Sequence, residues 1–372
     1  MTAVAHEAAK PVPDIQAWEL FPGTHILGNC VLDRYVIVPS AGVPVLLEAI
    51  RAIDGERTLE EISSELRARG YAVDMRQLHA RLWKAGLIEG APYQGDVTRF
   101  SICWASLGTA RFFGLIPRSG RFLAWVSAAS AVMAVLALWL SVAHRLNLFS
   151  SFRTHVPAGP IEFAGVLLAG IVLSVIAHEG AHGLTASRFG RVPTRLRALG
   201  YFGFIPCFVL SIPGLYTLPA KKRIAVWIAG PVGSLTAAAC AILIGELPHM
   251  GLRAHVWMDQ FAAVNLGVAL YNCCPLLPTD GYFVLSTLLG RANMRARAWQ
   301  EWKLLFRGIR RPNTPLLIYG LISVAFLVIV IGRNIRLLLV STGYSLAGYA
   351  IVAILAGAIC VKRFRKLEAG RK

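Results

Sequence analysis

The sequence predicts a polytopic α-helical membrane protein of about six transmembrane helices, preceded by a small α+β domain of winged-helix type. Three observations carry that expectation. Hydrophobic residues make up 56% of the 372 positions, and the mean hydropathy is +0.57, values that belong to membrane proteins. Long apolar runs recur from about Arg121 onward. Lysine and arginine gather in alternate segments between those runs, as they do on the cytoplasmic side of a membrane.

The formal net charge is +18. In a soluble chain that excess would point to nucleic acid; placed between apolar segments, it points to anionic lipid. A lipid bilayer is therefore an expected partner and nucleic acid is not. The seven cysteines are scattered apart from Cys273-Cys274, without the spacing of a zinc ribbon or a disulfide framework. The polar first twenty or so residues lack the charged-then-apolar pattern of a signal peptide, so the chain is expected to begin in the cytoplasm.

Residues 16–95 read as the front domain. Tyr35 to Val38 form a short strand, and a helix follows over 43–53. Asp54-Gly55-Glu56-Arg57 makes a turn. Thr58 then caps the next helix, with Glu61 three residues later completing a capping box. That helix, 59–69, carries Leu59, Ile62 and Leu66 at helical spacing; a third, 75–85, presents Leu78, Leu82 and Trp83. Residues 86–90 close the unit as a strand. The Asp-Gly-x-x-Thr turn, the two helices after it and the ending Lys84-Ala85-Gly86-Leu87-Ile88-Glu89-Gly90 resemble the PqqD-like family. That resemblance implies a domain that binds leader segments of ribosomally made peptides, with strand addition as the physical means. A winged helix serving only as a protein or DNA contact is the other reading. Glu60, Glu61 and Glu65 sit among Arg67 and Arg69 on its second helix, so no basic recognition face stands out.

The membrane-embedded domain is expected over 120–365. Its spans are read at 122–143, 161–185, 224–244, 258–288, 316–331 and 337–361, each long enough to cross a bilayer or nearly so. Pro275 and Pro278 should break the fourth. With both termini inside, inner loops hold Arg188, Arg191, Arg195, Arg197 and Lys221 to Arg223, then seven basic residues from Arg291 to Arg311; outer loops keep Arg145, Arg153, Arg253, Arg333 and Arg336. Residues 199–219 are apolar but rich in Gly and Pro, which suits a re-entrant strand or hairpin rather than a crossing. Residues 291–311 fit two readings: an amphipathic helix lying in the cytoplasmic interface, with Trp299, Trp302, Leu305, Phe306 and Ile309 on one face, or a solvated loop with a tryptophan anchor.

Within the second span lies His178-Glu179-Gly180-Ala181-His182. Positions i and i+4 share a helix face, so both imidazoles can grip one metal ion. Glu179 is then placed as general base toward a water at the open coordination position. Ionisable groups inside a membrane are costly and mark function. A zinc site of this kind needs a third protein ligand, and Asp280, isolated in the fourth apolar span behind the two prolines, is the candidate. Cys273 and Cys274 read as packing residues.

Two interlocking elements resemble the site-2 protease family of intramembrane metalloproteases. His178-Glu179-x-x-His182 is the first. Asn272, Pro275, Asp280 and Gly281 match Asn-x-x-Pro-x-x-x-x-Asp-Gly as the second, and Ala229-Gly230-Pro231-Val232-Gly233-Ser234 resembles the family's Gly-Pro-x-x-Asn element, with Ser234 where Asn is usual. The resemblance covers about 161–290. It implies a site-2-protease-like core in which His178, His182 and Asp280 hold Zn²⁺ and Glu179 is the catalytic base. Asn272 either holds substrate or the developing oxyanion, or caps the broken helix. The expected activity is hydrolysis of a peptide bond in a peptide or membrane-anchored substrate near the cytoplasmic face, with the front domain suggesting maturation of a ribosomal peptide. Regulated proteolysis of a signalling protein is a second reading. An exporter or immunity protein with a non-catalytic metal site is a third, against which the intact Glu179 counts. The oligomeric state is not legible.

Overall fold

The computed structural model describes residues 10–91, 101–115, 120–143, 160–201, 205–308 and 313–340. Two compact units divide the chain: Met1–Cys273 with Phe283–Gly290, and Cys274–Tyr282 with Arg291–Lys372.

The first unit opens with an antiparallel meander of β1 (Gln16–Phe21), β2 (Thr24–Asn29) and β3 (Arg34–Pro39) in sequential order. Gly23, at φ +76, makes the first turn. In the second, the Asn29 side chain accepts from the Val31 and Leu32 amides. Only the last strand is evident from sequence. Four successive residues of β2, Ile26 to Asn29, are buried, and burial on both faces erases the alternation by which a strand is recognised.

Three helices follow, α1 (Val43–Arg51), α2 (Leu59–Ala68) and α3 (Met75–Lys84). The capping box at Thr58 is formed in both directions, Glu61 N–H to Thr58 Oγ1 at 3.3 Å and Thr58 N–H to Glu61 Oε2 at 2.8 Å. Asp74 caps α3 by accepting from the Gln77 amide. The helices close over a core of Leu27, Val38, Ile50, Ile62, Leu66, Leu82, Leu87 and Ile88. The closing strand expected at 86–90 is reduced to one antiparallel bridge, Ile88 with Pro11.

A second sheet joins β4 (Ser101–Gly108), β5 (Arg195–Tyr201) and β6 (Ile205–Ser211) in antiparallel order β4-β5-β6. The hairpin anticipated at 199–219 is therefore real in kind but begins at Arg195, inside what reads as a cytoplasmic loop, and it recruits β4, which has no sequence signal. A short helix, α4 (Ala110–Gly114), precedes α5 (Gly120–Ala143), α6 (Pro160–Arg188), α7 (Ala220–Gly245), α8 (Leu252–Asn272) and α9 (Asp280–Leu288). Residues Ala164–Arg188 of α6 and all of α7 are long and apolar enough to cross a membrane, since 25 residues at ~1.5 Å each exceed the ~30 Å of hydrocarbon. Residues Ala124–Leu136 and Thr314–Ile329 are shorter apolar helices. Leu168 and Ile176 of α6 are 63% and 61% exposed, as an apolar surround allows and water does not favour.

The expected fourth span is two helices, α8 and α9, separated by residues 273–279. The break is held by Thr279, whose hydroxyl donates to the Cys274 carbonyl at 2.8 Å.

In the second unit, α10 (Met294–Phe306) and α11 (Thr314–Val340) are both helical. A helix is present over Met294–Phe306, with Met294, Ala298 and Glu301 buried and Phe306 73% exposed; Ile309 of the expected face lies outside the described residues. Ala298 and Trp302 pack on Gly320 of α11, where a Cβ would lie 3.0 Å from the Trp302 Nε1. α11 runs straight through positions 333 and 336, where an outer loop is expected from sequence. The sixth expected span lies, beyond residue 340, outside the described residues.

Two consequences are measurable. Ile62 is wholly buried, so Ile62→Ala should cost about 2–5 kcal/mol of front-domain stability, read as lost amide protection over 59–68. The Asp54 carboxyl is held well below the usual carboxylate range by the backbone amides of Arg57 and Glu56 and then by the Arg57 guanidinium. A depressed folded-state pKa contributes stability that is present above the unfolded value near ~4 and lost as pH falls through the folded one. Asp54→Asn should therefore destabilise the domain at pH 7, with the gap to wild type closing in acid.

Candidate metal centre

Helix α6 carries His178, Glu179 and His182 on adjoining turns, and α7 packs against it. That approach depends on two glycines of α7. A Cβ at Gly233 would lie 2.2 Å from the Ala177 carbonyl oxygen, and one at Gly230 would lie 2.3 Å from His182 Nε2 and 2.7 Å from His178 Nε2. Both Nε2 atoms thus converge on space that only glycine leaves open.

The other ring nitrogens face away and are held. His182 Nδ1 lies 2.6 Å from the Val226 carbonyl oxygen. A carbonyl can only accept, so Nδ1 carries the proton and Nε2 keeps its lone pair. His178 Nδ1 lies 2.9 Å from Ser234 Oγ, in a side chain that is wholly buried. Such outward hydrogen bonds orient metal-binding imidazoles.

Asp280 is the first residue of α9. One turn on, Phe283 stacks on Trp227 of α7 with ring centroids 4.7 Å apart, and Trp227 meets the His182 ring at 6.3 Å. The donor atoms of His178, His182 and Asp280 all lie within 4.8 Å of one another, and all three residues are buried. Two imidazole nitrogens and a carboxylate oxygen suit a tetrahedral zinc ion with one position left for water. Convergent Nε2 atoms, outward-bonded Nδ1 atoms and a glycine-walled space fit that ion.

The remaining expected site residues are placed differently. Glu179 is half-buried, and its Oε2 accepts from the Leu210 amide of β6 at 2.9 Å. Asn272 ends α8, and its amide donates to the Val268 carbonyl one turn back at 3.0 Å. Asn265, not singled out from sequence, is wholly buried and donates to Ser174 Oγ at 3.0 Å and to the Phe261 carbonyl at 2.9 Å. It ties α8 to α6 one turn before His178. Ser234 stands in a recognised motif, but its partner is a histidine 56 positions away. Val226 acts through its backbone, which no side-chain pattern reports.

No protein-family model matches this chain, and no solved structure does. Two curated proteins are similar to part of it. "Putative zinc metalloprotease YwhC" of Bacillus subtilis (strain 168) is 27% identical over 157 residues, 35% of this chain and 72% of that protein. "Putative zinc metalloprotease Rip2" of Mycobacterium tuberculosis is 26% identical over 178 residues, 40% of this chain and 68% of that protein. At low identity and partial coverage, both support a relation to zinc metalloproteases.

The glycine at 230 gives a direct test. Gly230→Ala should lower zinc affinity at least about tenfold, as loss of a supporting group does, measured by retention against a graded chelator. Gly267→Ala on α8, where a Cβ meets nothing within 4 Å, should leave it unchanged.

Proposed function

We propose that this protein is an intramembrane zinc metalloprotease that hydrolyses a peptide bond of a peptide or membrane-anchored substrate near the cytoplasmic face. The observation that carries the reading is the convergence of His178, His182 and Asp280 donors within 4.8 Å, beside a glutamate on the same helix. The names of the two similar proteins support it.

Roles follow from chemistry. His178 and His182 through Nε2, and Asp280 through its carboxylate, would hold Zn²⁺. Zinc so held would supply positive charge that acidifies water and polarises a carbonyl. Glu179 would take a proton from the attacking water and return it to the leaving amine as the peptide C–N bond breaks. Its hydrogen bond from Leu210 aims the carboxylate in the resting site.

That same bond suggests how substrate is held. Leu210 pairs with Leu196 of β5, yet its N–H points to Glu179, so alternate backbone groups of β6 face away from β5. Among the described residues β6 is an edge of its sheet. An unwound substrate can add there as a further strand, which brings its peptide bonds out of the shelter of a helix and next to Glu179. Asn272 would then receive the substrate backbone once its amide leaves Val268.

The wider frame is part of the proposal: six spans, both termini cytoplasmic, and a PqqD-like front domain that recruits a leader-bearing peptide for maturation. The apolar exposed faces of α6 and the length of α7 support a bilayer setting.

The test does not need a known substrate. Membranes from cells producing wild type or Glu179→Gln would be compared by mass spectrometry of labelled new N-termini. New termini at the cytoplasmic ends of apolar segments, or behind a peptide leader, should appear in wild type and be absent from the variant while both hold equal zinc. Identical termini in the two samples would contradict the assignment.

A further inference from the structure

The segment between β6 and the second turn of α7 fixes two site residues at its two ends. At one end the Leu210 amide donates to Glu179 at 2.9 Å. At the other the Val226 carbonyl holds His182 Nδ1 at 2.6 Å. Between them the chain makes a left-handed turn at Gly214, φ +74, and a single 3-10 turn, Leu215–Thr217, before Pro219 starts α7. Such a segment has little regular structure of its own, so its shape depends on what grips it.

Two grips come from the front domain. Asp33 Oδ1, in the β2–β3 turn, accepts from the Gly214 amide at 3.0 Å. Arg223, wholly buried, donates to the carbonyls of Tyr216 at 3.0 Å and Leu218 at 3.1 Å, and also to the carbonyl of Leu20 at the end of β1. Its guanidinium lies 5.3 Å from the centre of the Phe21 ring. Arg191, just beyond α6, completes the clasp by donating to Thr217 Oγ1.

The turn bearing Asp33 is set in advance. Asn29 accepts from the amides of Val31 and Leu32, and Asp33 itself sits at φ +53, a conformation that aspartate tolerates better than most residues. A substrate-binding module that merely floated on a linker would need none of this.

We propose that the front domain is a positioning part of the metal centre: Asp33 and the Leu20 carbonyl hold segment 210–226, and that segment holds Glu179 and His182. The inference rests on the metalloprotease reading above. It makes the two functions reciprocal, because any ligand that shifts β1 to β3 shifts the anchors of the site, and metal binding must stiffen the front domain in return.

The experiment uses the full chain in detergent, as wild type, Asp33→Gly and Asp33→Asn. Glycine removes the carboxylate while accepting the positive φ; asparagine keeps an acceptor oxygen there. Amide exchange over 210–218 and zinc retention against a graded chelator are both read, with 59–68 as the folding control. Asp33→Gly should raise exchange in 210–218 and lower zinc affinity about tenfold with 59–68 still protected, and Asp33→Asn should restore both. Faster exchange with wild-type zinc affinity would overturn the proposal, leaving a contact that only fastens two domains. Unchanged exchange would overturn it too, because the segment would not depend on Asp33. Wild type without zinc would instead sink the metalloprotease reading, and the exchange result would still report on the clasp.

Discussion

The close approach of α6 and α7 is the constraint from which the rest of the site follows. Gly230 and Gly233 leave no side chain between the helices, so backbone meets backbone at Ala177 and two imidazoles occupy the volume a Cβ would take at 230. Once the rings are there, their outer nitrogens reach Val226 and Ser234 on the facing helix. Tautomer and orientation are therefore set by the same packing that brings the ligands together. A wider spacing would lose the donors and the hydrogen bonds at once.

Around that contact the chain builds support from three directions. Trp227 meets both the His182 ring and Phe283, so the Phe283 turn of α9 is tied to α7 through aromatic packing. Asn265 and Ser174 fasten α8 to the turn of α6 before His178. β6 and the segment after it supply Glu179 with its hydrogen bond and the front domain with its anchor points. Catalytic groups need positioning to within about half an ångström, and a constellation drawn from several elements reaches that only when each is braced by another.

Much of this was legible in the sequence because it is local. His178, Glu179 and His182 are separated by one helical turn, and the capping box at Thr58 and the leucine spacing of α2 and α3 are equally short-range. The proline break before Asp280 also announces itself. What escaped is long-range or made of backbone. Ser234 was visible as a departure from a motif, yet nothing in one sequence says that it faces His178. Val226 and Leu210 act through a carbonyl and an amide. β1, β2 and β4 are short strands without clean alternation, and β4 pairs with a strand nearly a hundred positions away. Arg223 reads as one of three basic residues at a membrane boundary, where positive charge is expected, and its burial against the front domain depends on folds on either side. On α10, Trp302 of the expected face does pack on Gly320, but so does Ala298, a small residue to which an apolar periodicity gives little weight.

The most direct test of the central claim is zinc content per chain in detergent-purified, folded protein. Wild type should hold about one zinc ion, as a three-ligand site of this kind does, and both His178→Ala and Asp280→Ala should lose it. A zinc-free wild type, or either variant retaining the full complement, would contradict the site as described.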